Sequence, residues 1–130
     1  MTNVFFDSKI YSMNPERLKF FRSLIRSSNV DVMRDHDTVE YSIDTDDGTT
    51  FAFSCVYTTD DIGRPGRYYA ITVDMQVLCD GFCLDGQKPN ETTKNLMALV
   101  KQCSDKILAQ EIHARQNGIL AQINNEKIYS

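Results

Sequence analysis

The feature that constrains this chain most is a pair of alternating runs joined by Asp47-Gly48. Before the joint, Val39, Tyr41 and Ile43 alternate with Thr38, Glu40, Ser42 and Asp44; after it, Phe51, Phe53, Cys55 and Tyr57 keep the same period. A strand points successive side chains to opposite faces, so this period describes strands buried on one side. Asp-Gly tolerates the positive φ of a tight turn, and between alternating runs it predicts a hairpin. A longer turn from Thr58 to Arg67 contains Asp60-Asp61 and Arg64-Pro65-Gly66. The run after it predicts one strand, with Tyr69, Ile71, Val73, Met75, Val77 and Cys79 on one face and Ala70, Thr72, Asp74 and Gln76 on the other. Val4-Phe5-Phe6 is expected to add a short fourth strand. The result is an antiparallel three- to four-stranded meander with one face covered and one wet.

Helices are expected on both sides of the meander in sequence. Asn14 suits an N-cap, Pro15 the first helical position and Glu16 the positive end of the helix dipole. Leu18, Phe21, Leu24 and Ile25 then recur at helical spacing, giving a helix over about 15–28 that ends in Ser27-Ser28-Asn29. The C-terminal third starts a helix at Pro89-Asn90, with Leu96, Val100, Cys103 and Ile107 lying along the sheet. Leu108, Ile112, Ile119 and Ile123 form a second stripe, beginning one residue out of step and so rotated by about 100°. A continuous helix over 91–126 would be about 54 Å long, whereas a compact chain of this length is only about 36 Å across. The helix must therefore project or fold back. Asn117-Gly118 suits a break and a return. The displaced stripe suits a projecting end, 108–130, that packs on a second copy, and the balance favours that homo-oligomer. The fold class is thus α+β, with 1–130 as one domain.

The 130 residues are 42% apolar and 25% charged, which permits a buried core and argues against global disorder. No apolar run approaches a membrane span. The first residues, MTNVFFDSKIYSMNPER, carry none of the marks of a secretory signal, so a cytoplasmic location with reduced thiols is expected. Cys79 and Cys83 are separated by three residues instead of the two of a zinc knuckle, and no second pair follows; no metal or cofactor is expected. Asp44-Thr45-Asp46-Asp47-Gly48 fails as a calcium loop, because glycine falls at the fifth position and Cys55 at the twelfth. There is no phosphate-cradling glycine loop, nucleophile elbow or HExxH helix, so enzymatic activity lacks a sequence signature.

Charge is the informative part. Residues 1–29 carry +3, residues 30–86 carry −9 and residues 87–130 carry +2, for a formal net charge of −4. Direct nucleic-acid binding runs against that balance, and the Lys19, Arg22 and Arg26 stripe reads as a solvated helix surface. Glu40, Asp44 and Asp74 are expected to project from the open face, with Asp46 and Asp47 at the hairpin tip and Asp60 and Asp61 in the next loop. These residues predict a non-enzymatic binding module or inhibitor that docks on a basic protein partner. One form would be a nucleic-acid mimic occupying a basic cleft, in the manner of small phage-encoded inhibitors of host machinery. The alternative is a small-ligand or nucleotide-binding protein, or an enzyme acting on such a ligand, with a site at a subunit junction around His36, Tyr41, Arg64 and Arg67, the arginines gripping a phosphate. In topology alone the helix–strands–helix order is similar to part of the fold of acidic type III secretion chaperones. Those have a second strand pair before a last helix, which this reading of the chain lacks.

Overall fold

The computed structural model describes residues 13–129, with side chains through Asn124; the expected strand at Val4-Phe5-Phe6 lies outside these residues. The fold is α+β: an N-terminal helix, a five-stranded antiparallel sheet and a long C-terminal helix. Helix α1 (Pro15–Ser27) begins as its sequence dictates. The Asn14 side chain accepts a hydrogen bond from Arg17 N at 2.8 Å, Pro15 opens the first turn and Glu16 sits at the positive end of the dipole. Its buried face carries Phe21 and Ile25 onto the sheet, where the Phe21 ring meets Phe51 and Phe53 edge-on at centroid distances of 6.0 and 5.6 Å.

The strands are β1 (Asp31–Asp35), β2 (Thr38–Asp44), β3 (Thr50–Thr59), β4 (Pro65–Val73) and β5 (Gln76–Leu84), arranged in sequence order. Gly48 takes the positive φ (86°) in the turn joining β2 to β3, as the Asp47-Gly48 pair predicts. Two differences from the expected meander have a physical cause. First, the run Tyr69–Cys79 is two strands, because Asp74 and Met75 both adopt positive φ (48° and 70°) and close a two-residue turn without glycine. This turn reverses the side-chain parity: Val77 pairs with Thr72 on the open face, and Met75 is 93% exposed at the tip. A register shift opposite Ile71 and Thr72 then absorbs Leu78 and returns Cys79 to the covered face beside Ile71. Second, Asp31-Val32-Met33-Arg34-Asp35 pairs with β2 as an edge strand, where charged side chains oppose further strand addition.

Both helices cover one face of the sheet, around a core of Tyr41, Ile43, Phe51, Phe53, Tyr69, Ile71 and Cys79 from the strands and Leu96, Leu99, Cys103 and Ile107 from helix α2 (Glu91–Tyr129). The Asn90 side chain caps α2 by accepting from Thr93 N at 2.8 Å. One turn in, Thr93 packs against Gly81 of β5 so closely that a Cβ there would lie 2.1 Å from its hydroxyl oxygen. That glycine separates Cys79 from Cys83, and four residues of strand hold those thiols roughly 13 Å apart. The Cys79–Cys83 segment is therefore a covered strand face with a helix seated on its midpoint.

Helices α1 and α2 run parallel, joined at constant offset. Gln102 Nε2 donates to Arg22 O at 3.0 Å, Lys106 Nζ to Arg26 O at 2.7 Å and Gln110 Nε2 to Val30 O at 2.8 Å. Gln110 Oε1 also accepts from Val30 N at 2.8 Å, so one side chain satisfies both backbone groups of Val30. Among the described residues Lys106 and Gln110 are the last anchors. From Glu111 through Asn124 every residue of α2 is exposed. The helix passes through Gly118 without a break, so of the two alternatives the return at Asn117-Gly118 is absent, and α2 reaches about 58 Å at 1.5 Å per residue.

Candidate functional site

Cross-strand partners point to the same side of a sheet, so the register assigns every strand residue to a face. On the side opposite the helices one row runs Met33, Glu40, Ser54, Ala70, Asp80, and the next runs Asp31, Ser42, Ala52, Thr72, Val77. Asp35 and Asp44 complete the acidic members at the ends of β1 and β2. Among the described residues the only strand cations, Arg34 and Arg67, both point to the helix side, paired with Val39 and with Tyr57 and Cys83. Within the strands, then, the open face is purely acidic. Its middle is small-chained: Ala52 and Ala70 are buried, and a shallow concavity of about 280 Å³ is lined by Asp31, Met33, Glu40, Ser42, Ala52 and Thr72.

The expected docking carboxylates divide into three groups. Glu40 and Asp44 stand on the open face, as their alternation requires. Asp74 has moved to the β4–β5 turn, yet it remains close to Asp44: its Oδ1 accepts from Thr50 N at 2.9 Å while Asp44 Oδ1 accepts from Thr50 Oγ1 at 2.8 Å. Asp46 and Asp47 lie beside them in the β2–β3 turn. There the Asp47 carboxylate accepts from Thr45 Oγ1 and from Thr49 N, and these bonds hold it below the usual carboxylate range. Asp60 and Asp61 lie at the other end of the sheet, in the β3–β4 turn. Asp60 accepts from the Ile62 and Arg64 backbone and pairs with Arg64 Nε at 2.7 Å, which lowers its carboxyl and neutralises its charge locally. The structure thus brings Asp44, Asp46, Asp47 and Asp74 to one end of the sheet and leaves Asp60 and Asp61 apart from them. Asp31, Asp35 and Asp80 belong with the acidic face although sequence reasoning did not include them. Their signal was strand parity, which becomes readable only once β1 and the register shift in β5 are known.

Asp80 is also tied into the face. Tyr68 donates its hydroxyl to Asp80 Oδ2 at 2.7 Å, and partial burial together with that bond pushes the phenol up to about 12. Tyr57 makes the same contact with Asp85 at 2.7 Å on the helix side, where the Arg67 guanidinium stacks 5.5 Å from its ring centroid.

The alternative ligand residues do not converge on one point. His36 sits in the β1–β2 turn with positive φ (48°) and its side chain almost wholly in solvent, 3.6 Å from Asp35. Arg64 is engaged by Asp60. Tyr41 is buried in the core but reaches the wall of a groove of about 470 Å³ between sheet and α2, which Arg67, Tyr69, Met97 and Lys101 also line. Only Tyr41 and Arg67 of the four share a site. Among the described residues no group of three or more His, Cys, Asp or Glu side chains is arranged to hold a metal ion, and no helix is long and apolar enough to cross a membrane. Comparison with protein-family models, with curated proteins and with solved structures finds no match for this chain.

Proposed function

We propose that this protein is a non-enzymatic binding module that docks the open face of its sheet on a basic surface of a partner protein. The observation that carries the reading is the sorting of charge by strand parity. Asp31, Asp35, Glu40, Asp44 and Asp80 occupy open-face positions, while both strand arginines lie on the opposite side. A face of one sign accelerates encounter with a face of the other and penalises partners of like charge. The end cluster of Asp44, Asp46, Asp47 and Asp74 extends the field past the strand ends, toward a partner broader than the sheet. A basic cleft that ordinarily receives nucleic acid is a surface of the required sign, and occupation of such a cleft would make the protein an inhibitor.

The test is capture from the native host followed by mass spectrometry, comparing wild type with Asp31→Asn/Glu40→Gln/Asp44→Asn. These replacements keep side-chain shape and leave the hairpin-turn carboxylates in place. The reading expects a basic-surfaced protein that wild type retains and the variant releases. Equal retention by both removes the acidic face from the account.

A second reading draws on the groove between the sheet and α2, which Arg67 lines from the sheet and Lys101 from the helix. There the protein would bind a small anionic ligand, such as a nucleotide, through paired cations beside Tyr41 and Tyr69. A thermal-shift screen with nucleotides distinguishes it: ligand-dependent stabilisation lost in Arg67→Ala favours the groove.

A further inference from the structure

The exposed half of α2 carries a pattern with its own symmetry. Leu108, Ile112, Ile119 and Ile123 are 57, 46, 57 and 42% exposed, and no described residue covers them. At 100° per residue the four stay within an arc of about 60°, and that arc faces roughly 160° away from the stripe of Leu96, Leu99, Cys103 and Ile107 that seats α2 on the sheet. The stripe therefore looks away from the chain's own body. Its spacing, four then seven then four residues, reads the same in both directions about a midpoint between Arg115 and Gln116. Reversal about that midpoint exchanges Leu108 with Ile123 and Ile112 with Ile119.

We infer that this segment pairs with a second copy of itself as an antiparallel, two-fold helical dimer, with Leu108 against Ile123 of the partner subunit and Ile112 against Ile119 of the partner subunit. A two-fold contact requires that residue i meet j wherever j meets i, and the mirrored spacing meets that condition while a heterologous partner needs no such symmetry. The helix itself argues for a cover. Most helical stability in proteins comes from packing of an apolar face, and Gly118, a poor helix former, lies in the interior of an exposed segment that has no such packing of its own. The geometry leaves room. Each body lies on the outer side of its helix and at opposite ends of the pair, so the two acidic sheets stay apart. The overlap from about residue 102 to Tyr129 is roughly 40 Å long. A helix-wide strip of that length falls at the small end of specific interfaces, the size class in which weak, transient association is common. The polar interruption at Arg115 and Gln116 sits on the two-fold axis, where the two Arg115 side chains approach each other, limit affinity and mark the register. This inference is independent of the sheet-face reading, since none of its residues lies in the sheet.

Sedimentation equilibrium across the micromolar range gives the first test. The dimer predicts a concentration-dependent rise to twice the monomer mass, abolished by Ile112→Asp and by Ile119→Asp; both positions are solvent-exposed in the monomer, so circular dichroism should show the body folded. A wild type that stays monomeric throughout overturns the inference. Register is read by oxidative cross-linking of Ile112→Cys and Ile119→Cys chains, against wild type as the control for the four native thiols. Mixed chains that cross-link while each variant alone does not are the antiparallel result. Cross-linking of each variant to itself means parallel pairing and overturns the proposed dimer.

Discussion

The two faces of the sheet are built from the same five strands, one residue out of phase, and they are chemically opposite. Phe53 has no exposed surface and packs on the Phe21 ring; Ser54, its neighbour in sequence, faces outward between Glu40 and Ala70. On the covered side aromatic and branched side chains meet two helices, and the strand arginines lie at its margin. On the open side carboxylates flank a floor of alanine, serine and threonine. The contrast separates what holds the fold from what is available for recognition. Changes on the covered face should cost stability, and changes on the open face should cost binding.

The largest effect that would sharpen this contrast is truncation of the shared aromatic contact. Phe53→Ala is expected to cost about 3–5 kcal/mol through lost burial and the cavity left behind, whereas Ser54→Ala next to it should stay within about 0.5 kcal/mol. Urea melts of the two variants decide this, and equal costs would break the comparison. Gly81→Ala comes next, because its new Cβ meets Thr93 at the seat of α2; about 1–3 kcal/mol of overpacking is expected. Two substitutions should raise stability by about 1 kcal/mol each. Thr93→Val removes a buried hydroxyl oxygen that has no hydrogen-bond partner among the described residues. Met75→Gly relieves a positive φ of 70° at an exposed turn position.

The last effect is silent at neutral pH and concerns stability at high pH. Burial raises Cys103 from 9.0 and Tyr69 from 10.0, each to about 12, and Tyr68 reaches about 12 through burial and its bond to Asp80. In each case the folded protein binds the proton more tightly than the unfolded chain. The associated stability is complete below the unfolded values, and it falls as pH rises from about 9–10 toward 12. Denaturant melts at rising pH should show that decline. Asp80→Asn should lower the Tyr68 titration followed by ultraviolet difference absorbance and leave Tyr69 and Cys103 on the covered face unchanged.

Much of this architecture was legible because its signals are local. Asn14-Pro15-Glu16 marks a helix start through one side-chain bond and one fixed φ, and Asp47-Gly48 marks a turn through the conformational freedom of glycine. What the chain concealed depends on distant partners. Asp74-Met75 turns without glycine, so the alternation of Tyr69 through Cys79 runs across it unbroken, and the register shift at Leu78 disguises the reversal by restoring Cys79 to the core. The edge strand Asp31–Asp35 looks like a charged loop until β2 supplies its hydrogen bonds. The candidate site was half legible for the same reason. Glu40 and Asp44 follow from parity within one strand, while Asp31 and Asp80 join them only through register. Asp60 carried a full charge in the sequence and an Arg64 partner in the fold.

The central claim is that the open face recognises its partner by charge. Its most direct test is the affinity of the captured partner, measured by titration calorimetry over a range of salt concentrations for wild type and for Asp31→Asn/Glu40→Gln/Asp44→Asn. The account predicts that wild-type affinity falls steeply as salt rises and that the variant binds at least tenfold more weakly at low salt, with a flatter dependence. Equal affinities with the same salt dependence would contradict it.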